Sequence, residues 1–435
     1  MGLGGEVYPQ THTFPFRKVF YSAVSDEVLR LRGSRLKADV DRILAEKGFC
    51  SMLIYSESYR NVNMFYVSGF LAIDPFLYLK KVDGEPLLVI NQMEVDRAKK
   101  ESQVKDVRST HDYDFMKFIK STSDFKVGMT KFVASVAKKE LGTEKPIYVS
   151  PDFSAIYADA LRKEGLKIKP MFDVLEKARE TKEPEEVKSI TAVQRVVEKA
   201  TSKAIEEISK ADVRPDGTLF YRANGRKQKL TVGRIRGIFD HTFVDDGCIA
   251  EEETMIPCGS KSAIGHYAGK ATDVLRANEP IVMDVFPKSI GKRYVSDMTR
   301  TVVKGRASKA VKRMFETVAG VREAAVDALK AGVRGSDMQQ LCYRLFEKAG
   351  YDTIRGGKRI TKGYTHSLGH GVGLQVHEGP GMSEFNKLPL QEHNVVTVEP
   401  GLYDPKVGGV RIEDILETTG SRCRNLTKME ISLEI

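Results

Sequence analysis

Four acidic residues stand inside apolar, strand-like runs: Asp284 in IVMDVFP, Asp297 in RYVSDMTRTVV, Glu399 in NVVTVEPGLY and Glu413 in GGVRIEDILETT. A carboxylate among apolar neighbours is costly to bury unless it is paired or bound to a cation. Any one of them reads as a solvent-facing acid or the partner of a nearby arginine. Four in one half of the chain, beside the loop HSLGHGVGLQVHE at 366–378, point instead to a shared ligand. That loop holds three of the eight histidines within twelve positions. Carboxylate oxygens suit hard divalent cations, and imidazole nitrogen adds affinity for Mn, Fe, Co or Zn. Several carboxylates and one neutral imidazole largely neutralise a pair of such cations, and a pair of this kind acidifies a bridging water and polarises a carbonyl, as in a metallohydrolase.

The elements that must position these groups are read from hydrophobic periodicity. Beyond a poorly patterned first 25 residues, DEVLRLRGSRLKADVDRILAEKG has apolar positions at helical spacing. The runs SMLIY, MFYVSGF, PFLYLKK, EPLLVIN, DFKVGM and PIYVS read as short strands alternating with helices, which makes the first part a compact α/β domain. Dense charge around Pro184 then gives way to an amphipathic helix with Val187, Ile190, Val193, Val197, Ala200, Ala204 and Ile208 on one side. We place the domain boundary there, giving an N-terminal domain at 1–178 and a catalytic domain at 179–435. The acid-bearing strands of the second domain are separated by helices, so its class is α+β.

With 69 basic and 59 acidic residues the formal net charge is +10, but the two signs are interspersed and no aromatic-basic motif accompanies them, so no nucleic acid is expected. No apolar stretch approaches bilayer length, so no membrane segment is expected, and a cytoplasmic protein is. The five cysteines are odd in number and far apart, as befits free thiols. GHGVG does not follow the GxGxxG spacing of a dinucleotide fold, and HSLGH lacks the glutamate of the zincin helix.

Taken in order, Asp284, Asp297, His370, Glu399 and Glu413, in DVFPKSIGKRYVSDMTRT, HSLGHGVGLQVHEGP, TVEPGLY and GGVRIED, resemble the pita-bread metallopeptidases that include methionine aminopeptidase, prolidase and aminopeptidase P. The resemblance implies a pita-bread catalytic domain behind a smaller creatinase-like α/β domain, the form typical of the proline-specific branch. It implies two divalent metal ions per subunit, Mn or Co before Fe or Zn. Asp284 would chelate one, Asp297 and Glu413 would bridge, and His370 and Glu399 would hold the other. Glu399 would also carry the proton from water to the leaving amine. His266 would line the substrate pocket, His366 and His377 would contact substrate and stabilise the oxyanion, and Arg411 would lie near the substrate or its flanking acids. Tyr267 and Thr299 would stand behind them.

The implied activity is hydrolysis of the bond between an N-terminal residue and proline. The length of the chain favours an Xaa-Pro aminopeptidase, with Xaa-Pro dipeptidase (prolidase) as the alternative. A non-catalytic binding protein and a creatinase-like amidinohydrolase are disfavoured because all five ligand positions are intact. Proline-containing peptides and a homodimeric partner follow from the same resemblance. One spacing departs from the family: thirteen positions separate Asp284 from Asp297, two more than usual. The extra residues fall in a turn-like FPKSIGKR, and an even insertion preserves the strand face. Gly369, Gly371 and Gly373 are expected to let the backbone pass close to metals and substrate.

Overall fold

A computed structural model describes residues 38–435 apart from position 224. His12 and the first half of the expected N-terminal helix lie outside the described residues; the rest of that helix is Ala38–Glu46. The first part of the chain builds a six-stranded sheet in the order Asp106–Ser109, Leu87–Ile90, Phe76–Lys81, Ser51–Ser56, Ile147–Val149, Ile168–Pro170. Strand alternation divides its side chains between two cores. Met52, Ile54, Tyr78 and Leu88 face helices Ala38–Glu46, Val62–Ser68 and Val174–Glu180; Leu53, Leu77, Leu79 and Val89 face Phe125–Leu141 and Ala155–Lys163.

Two runs expected as strands are helical. MFYVSGF lies in Val62–Ser68, where the Asn61 side chain accepts from the Met64 amide and Gly69, at φ 61°, ends the helix. DFKVGM opens Phe125–Leu141, where the Asp124 carboxylate accepts from Lys126 N. In both, capping and a buried helical face outweigh the β-propensity of valine and the aromatics.

The linker helix Val174–Glu180 is followed by the long helix Pro184–Ser209, whose apolar stripe from Val187 to Ile208 is wholly buried. With Val232–Asp245 it covers the back of the antiparallel pair Ile281–Val285 and Met298–Val302, through Met283, Val285, Met298 and Val302. Helices Lys309–Ala328 and Gly335–Lys348 likewise cover a five-stranded antiparallel sheet, ordered Glu378–Met382, Gly369–Gly371, Val395–Val398, Asp414–Thr418, Cys423–Asn425, through Val396, Val398 and Leu416. The hairpin Gly401–Asp404/Gly408–Arg411 joins them. The run GGVRIEDILETT is thus two strands, and Glu413 sits between them. Because side chains alternate, the faces turned away from the helices carry Asp284, Thr299, Thr397 and Glu413 toward one cleft.

Candidate active site

Register accounts for the two aspartates. Asp284 pairs directly with Thr299, and continuing the ladder sets Asp297 opposite Phe286, on the same face as Asp284. The two extra residues are absorbed at the tip, where Ser289 N donates to Tyr294 O at 2.9 Å and Arg293 N to Ser289 O at 3.0 Å, with Arg293 at φ 65°. The longer connection therefore alters the rim and leaves the face of Asp297 unchanged.

The acids and His370 converge. His370 Nε2 lies 3.6 Å from Asp297 Oδ2 and 3.4 Å from Glu399 Oε1. Ligand atoms of Asp297, His370 and Glu413, one from each, lie within 4.8 Å of one another. Thr299 Oγ1 spans 2.7 Å to Asp284 Oδ1 and 2.8 Å to Glu413 Oε2. Arg411 pairs with Asp284 through Nη2 and donates from Nε to Thr299 Oγ1 at 2.9 Å. Asp284, Asp297 and Glu413 are all at most 6% exposed, while Glu399 keeps 15% of its side chain open.

So many buried carboxylates repel protons' departure. Burial first, and then Glu413, Asp284 and Glu399, push Asp297 well above the carboxylate range. Glu399 is raised by burial and then Glu413, and Glu413 is pushed up to about 8 by burial and then Asp284. Among the described residues Arg411 is the cation that pairs with them; burial works against its charge, but Asp284 and the other acids more than offset this and hold it protonated. Asp297 Oδ1 is buried with no hydrogen-bond partner. An orphaned oxygen, crowded carboxylates and a ring nitrogen facing them fit divalent metal binding.

The histidines of the loop divide by what each nitrogen meets. His370 Nδ1 sits 3.1 Å from the Gly371 carbonyl, which only accepts, so Nδ1 carries the proton and Nε2 offers its lone pair to the acids' side. Burial and then His377 lower its pKa to about 4. His366 Nδ1 similarly donates to Ser367 O at 2.7 Å, leaving Nε2 to accept from the Tyr403 hydroxyl at 3.0 Å; burial and then Arg411 lower it to about 3. In this tautomer its ring has no proton for an oxyanion. His377 is exposed and packs edge-on against His370, ring centroids 4.3 Å apart. His266 is exposed at φ 59°.

Tyr403 went unnoticed in the sequence: its buried hydroxyl also accepts from Arg411 Nη1 at 3.1 Å, linking His366 to Arg411 and Asp284. The only signal was its place in the TVEPGLY run. Thr397 was missed too, although it stands two residues before Glu399 on the same face; its Oγ1 accepts from His370 N at 3.0 Å. Tyr267 instead donates to Asp273 at 2.6 Å. Glycine has a different use from the one expected. A Cβ on Gly369 would lie 2.2 Å from Thr397 O, on Gly371 2.1 Å from Gly379 O and on Gly373 2.2 Å from Glu378 Oε1. The glycines let protein pack against protein.

These shifts predict a pH effect. A carboxylate whose folded pKa is raised favours the protonated folded state, so stability falls as pH rises through the folded value, whereas the lowered histidines cost stability only below their ordinary pKa. In chelator, the melting temperature should therefore fall between about pH 6.5 and about pH 8, and divalent metal should restore most of the loss at the alkaline end. A chelated protein with a flat profile over that window would contradict the carboxylate cluster.

Residues 188–420 match the family model described as Metallopeptidase family M24, and 37–181 match Creatinase/Prolidase N-terminal domain. The Xaa-Pro dipeptidase of Pyrococcus horikoshii is 28% identical over 378 residues, covering 86% of this chain and 92% of that protein. That of Pyrococcus furiosus is 27% identical over 374 residues, with the same coverage. The crystal structure of the Pyrococcus horikoshii prolidase superposes with a TM-score of 0.71 at 26% identity, covering 92% of this chain and all of that one. The X-Pro aminopeptidase of Thermotoga maritima shares the fold, with a TM-score of 0.72 at 24% identity over 91% of this chain and all of that one.

Proposed function

Because the chain belongs to metallopeptidase family M24, with the pita-bread fold behind a creatinase-like domain, we propose that it is an Xaa-Pro dipeptidase, a metallo-exopeptidase splitting dipeptides ahead of proline. The observation that carries this reading is the convergence of three carboxylates' oxygens and one imidazole nitrogen in a cleft where an acid oxygen lacks any partner. The dipeptidase relatives favour it over the aminopeptidase reading that chain length suggested. The proposed division at 178/179 falls within helix Val174–Glu180, just ahead of the gap between the family models, which end at 181 and begin at 188.

Asp284, Asp297, His370, Glu399 and Glu413 would hold two divalent ions, Mn or Co before Fe or Zn. Bound there, the ions supply Lewis acidity toward water and the scissile carbonyl. Glu399, the most open of the acids, takes the proton from the attacking water and passes it to the proline nitrogen, serving as base and then acid. That nitrogen carries no hydrogen in the substrate, so the cleft needs no acceptor for an amide N–H. His377 and His266, exposed at the mouth, contact the substrate and its developing oxyanion. His366 holds Tyr403, and through it Arg411, against Asp284 rather than donating itself. A homodimer and a cytoplasmic location remain part of the proposal; among the described residues no helix is long and apolar enough to cross a membrane.

The test loads purified protein with Mn or Co and compares Xaa-Pro with Xaa-Pro-Yaa. Dipeptide turnover that chelator abolishes is the expected result. Turnover of the tripeptide alone would establish the aminopeptidase, and turnover of neither by metal-loaded protein would refute the peptidase reading.

A further inference from the structure

Glu378 follows His377 directly, yet its side chain is only 2% exposed and turns away from the cleft's acids. Its carboxylate meets two cations of the linker between the domains. Lys182 Nζ, itself 1% exposed, lies 2.8 Å from Oε1, and Arg179 Nη2 lies 3.5 Å from Oε2. The same Arg179 Nη2 donates to Gln375 Oε1 at 2.7 Å, while Nη1 donates to Asn63 Oδ1 of the first domain at 2.9 Å. Within the turn, Gln375 N donates to Glu378 Oε2 at 3.4 Å, and Gly373 leaves no room for a Cβ against Oε1. Gly373 O in turn accepts from Val295 N at 2.8 Å, two residues before Asp297. The linker backbone is itself tied down: Lys182 N donates to His393 O at 2.9 Å, and Asn394 Nδ2 to Glu180 O at 2.9 Å.

A charge pair this buried is strongly weakened when one partner is lost. Here it is a polar tether of the turn at 373–377, beside the buried Leu374 and Val376, and the residue just before Glu378 packs on His370. We infer that Arg179 and Lys182 are positioning residues of the reaction: from the interdomain linker they clamp Glu378 and thereby seat His377 against His370. They touch neither substrate nor the reacting atoms. The first domain, through the Asn63 side-chain carbonyl that holds Arg179, thus helps set the geometry of the catalytic cleft. The kinetic part of this inference rests on the dipeptidase reading; the structural part does not.

The experiment measures Lys182→Met, Lys182→Arg and His377→Ala, singly and with Lys182→Met combined with His377→Ala, in full-length metal-loaded protein. Lys182→Met should lower kcat on an Xaa-Pro dipeptide at least about tenfold, as displacement of a cleft residue by a fraction of an ångström does. KM and metal content should change less than about twofold, Lys182→Arg should recover most of the rate, and adding Lys182→Met to His377→Ala should cost little more. A second readout needs no turnover: in protein loaded with diamagnetic zinc and carrying carbon-labelled histidine, the His377 ring resonance, assigned by its absence in His377→Ala, should shift in Lys182→Met. If Lys182→Met does not fold, Gln375→Ala, at the exposed edge of the same turn, should give the same effects in weaker form. An unmoved His377 resonance in folded protein, or fully additive losses in the double variant, would overturn the inference. Wild-type protein inactive on the dipeptide would overturn the proposed function instead, leaving the resonance to decide the positioning role.

Discussion

Replacing Glu399 with glutamine should lower kcat on an Xaa-Pro dipeptide by roughly 10²–10⁴-fold, the range a positioned general base supplies, while raising the melting temperature of the metal-free protein. The two effects share one cause. Glu399 sits with Asp297, Glu413 and Asp284 in a cleft that holds its carboxyl well above the ordinary range. Removing its ionisation relieves repulsion among buried acids, so the chelated fold gains stability as chemistry is lost, the usual trade at a strained site. The amide keeps the size of the side chain and one ligand oxygen, but cannot take up a proton from water. Metal content by elemental analysis separates loss of the base from loss of the site. A folded, metal-loaded variant retaining near-normal turnover would remove Glu399 from the proton shuttle.

Asp414→Ala should destabilise the protein by about 3–5 kcal/mol, the cost of stranding buried charge. Its carboxylate is wholly buried and receives Arg300 Nη2 at 2.8 Å, Arg322 Nε at 2.7 Å and Asn425 Nδ2 at 3.0 Å. Arg300 is 3% exposed and has no other acid partner among the described residues. The same guanidinium donates to the Glu413 carbonyl at 2.7 Å and the Thr299 carbonyl at 3.0 Å, so its release loosens two strands that carry site residues. Metal retention should fall along with thermal stability, and Asp414→Asn, which keeps shape and some hydrogen bonding, should lose less. A denaturant midpoint unchanged from wild type in Asp414→Ala would show that this network contributes nothing net.

The alternation of acid and apolar residues along the strands was readable because metal ligands must interrupt a buried pattern, and interruption is visible locally. The length of the Asp284–Asp297 connection was readable for the same reason, since an even insertion has a determinate effect on strand face. Short runs were less legible. MFYVSGF carries strand-forming residues, and only Asn61 and Gly69 at its ends, with the burial of Met64 and Val67 against the sheet, make it a helix. The glycines of the histidine loop were visible, but Gly369 and Gly371 make room for another strand's carbonyl and Gly373 for the Glu378 carboxylate, whose positions depend on pairing and folding.

By itself the sequence determined the kind of chemistry: acids and a histidine of the types that divalent metal ions favour, within an α+β domain preceded by an α/β one. Tertiary structure alone decided which nitrogen of His366 and of His370 carries its proton, that Tyr403 joins His366 to Arg411, and that Glu378 pairs with Lys182, 196 residues away. Those outcomes depend on which carbonyl, hydroxyl or cation the fold brings within hydrogen-bonding distance. Residue type and spacing constrain near neighbours in the chain, whereas hydrogen bonds and buried ion pairs are selected by proximity in space.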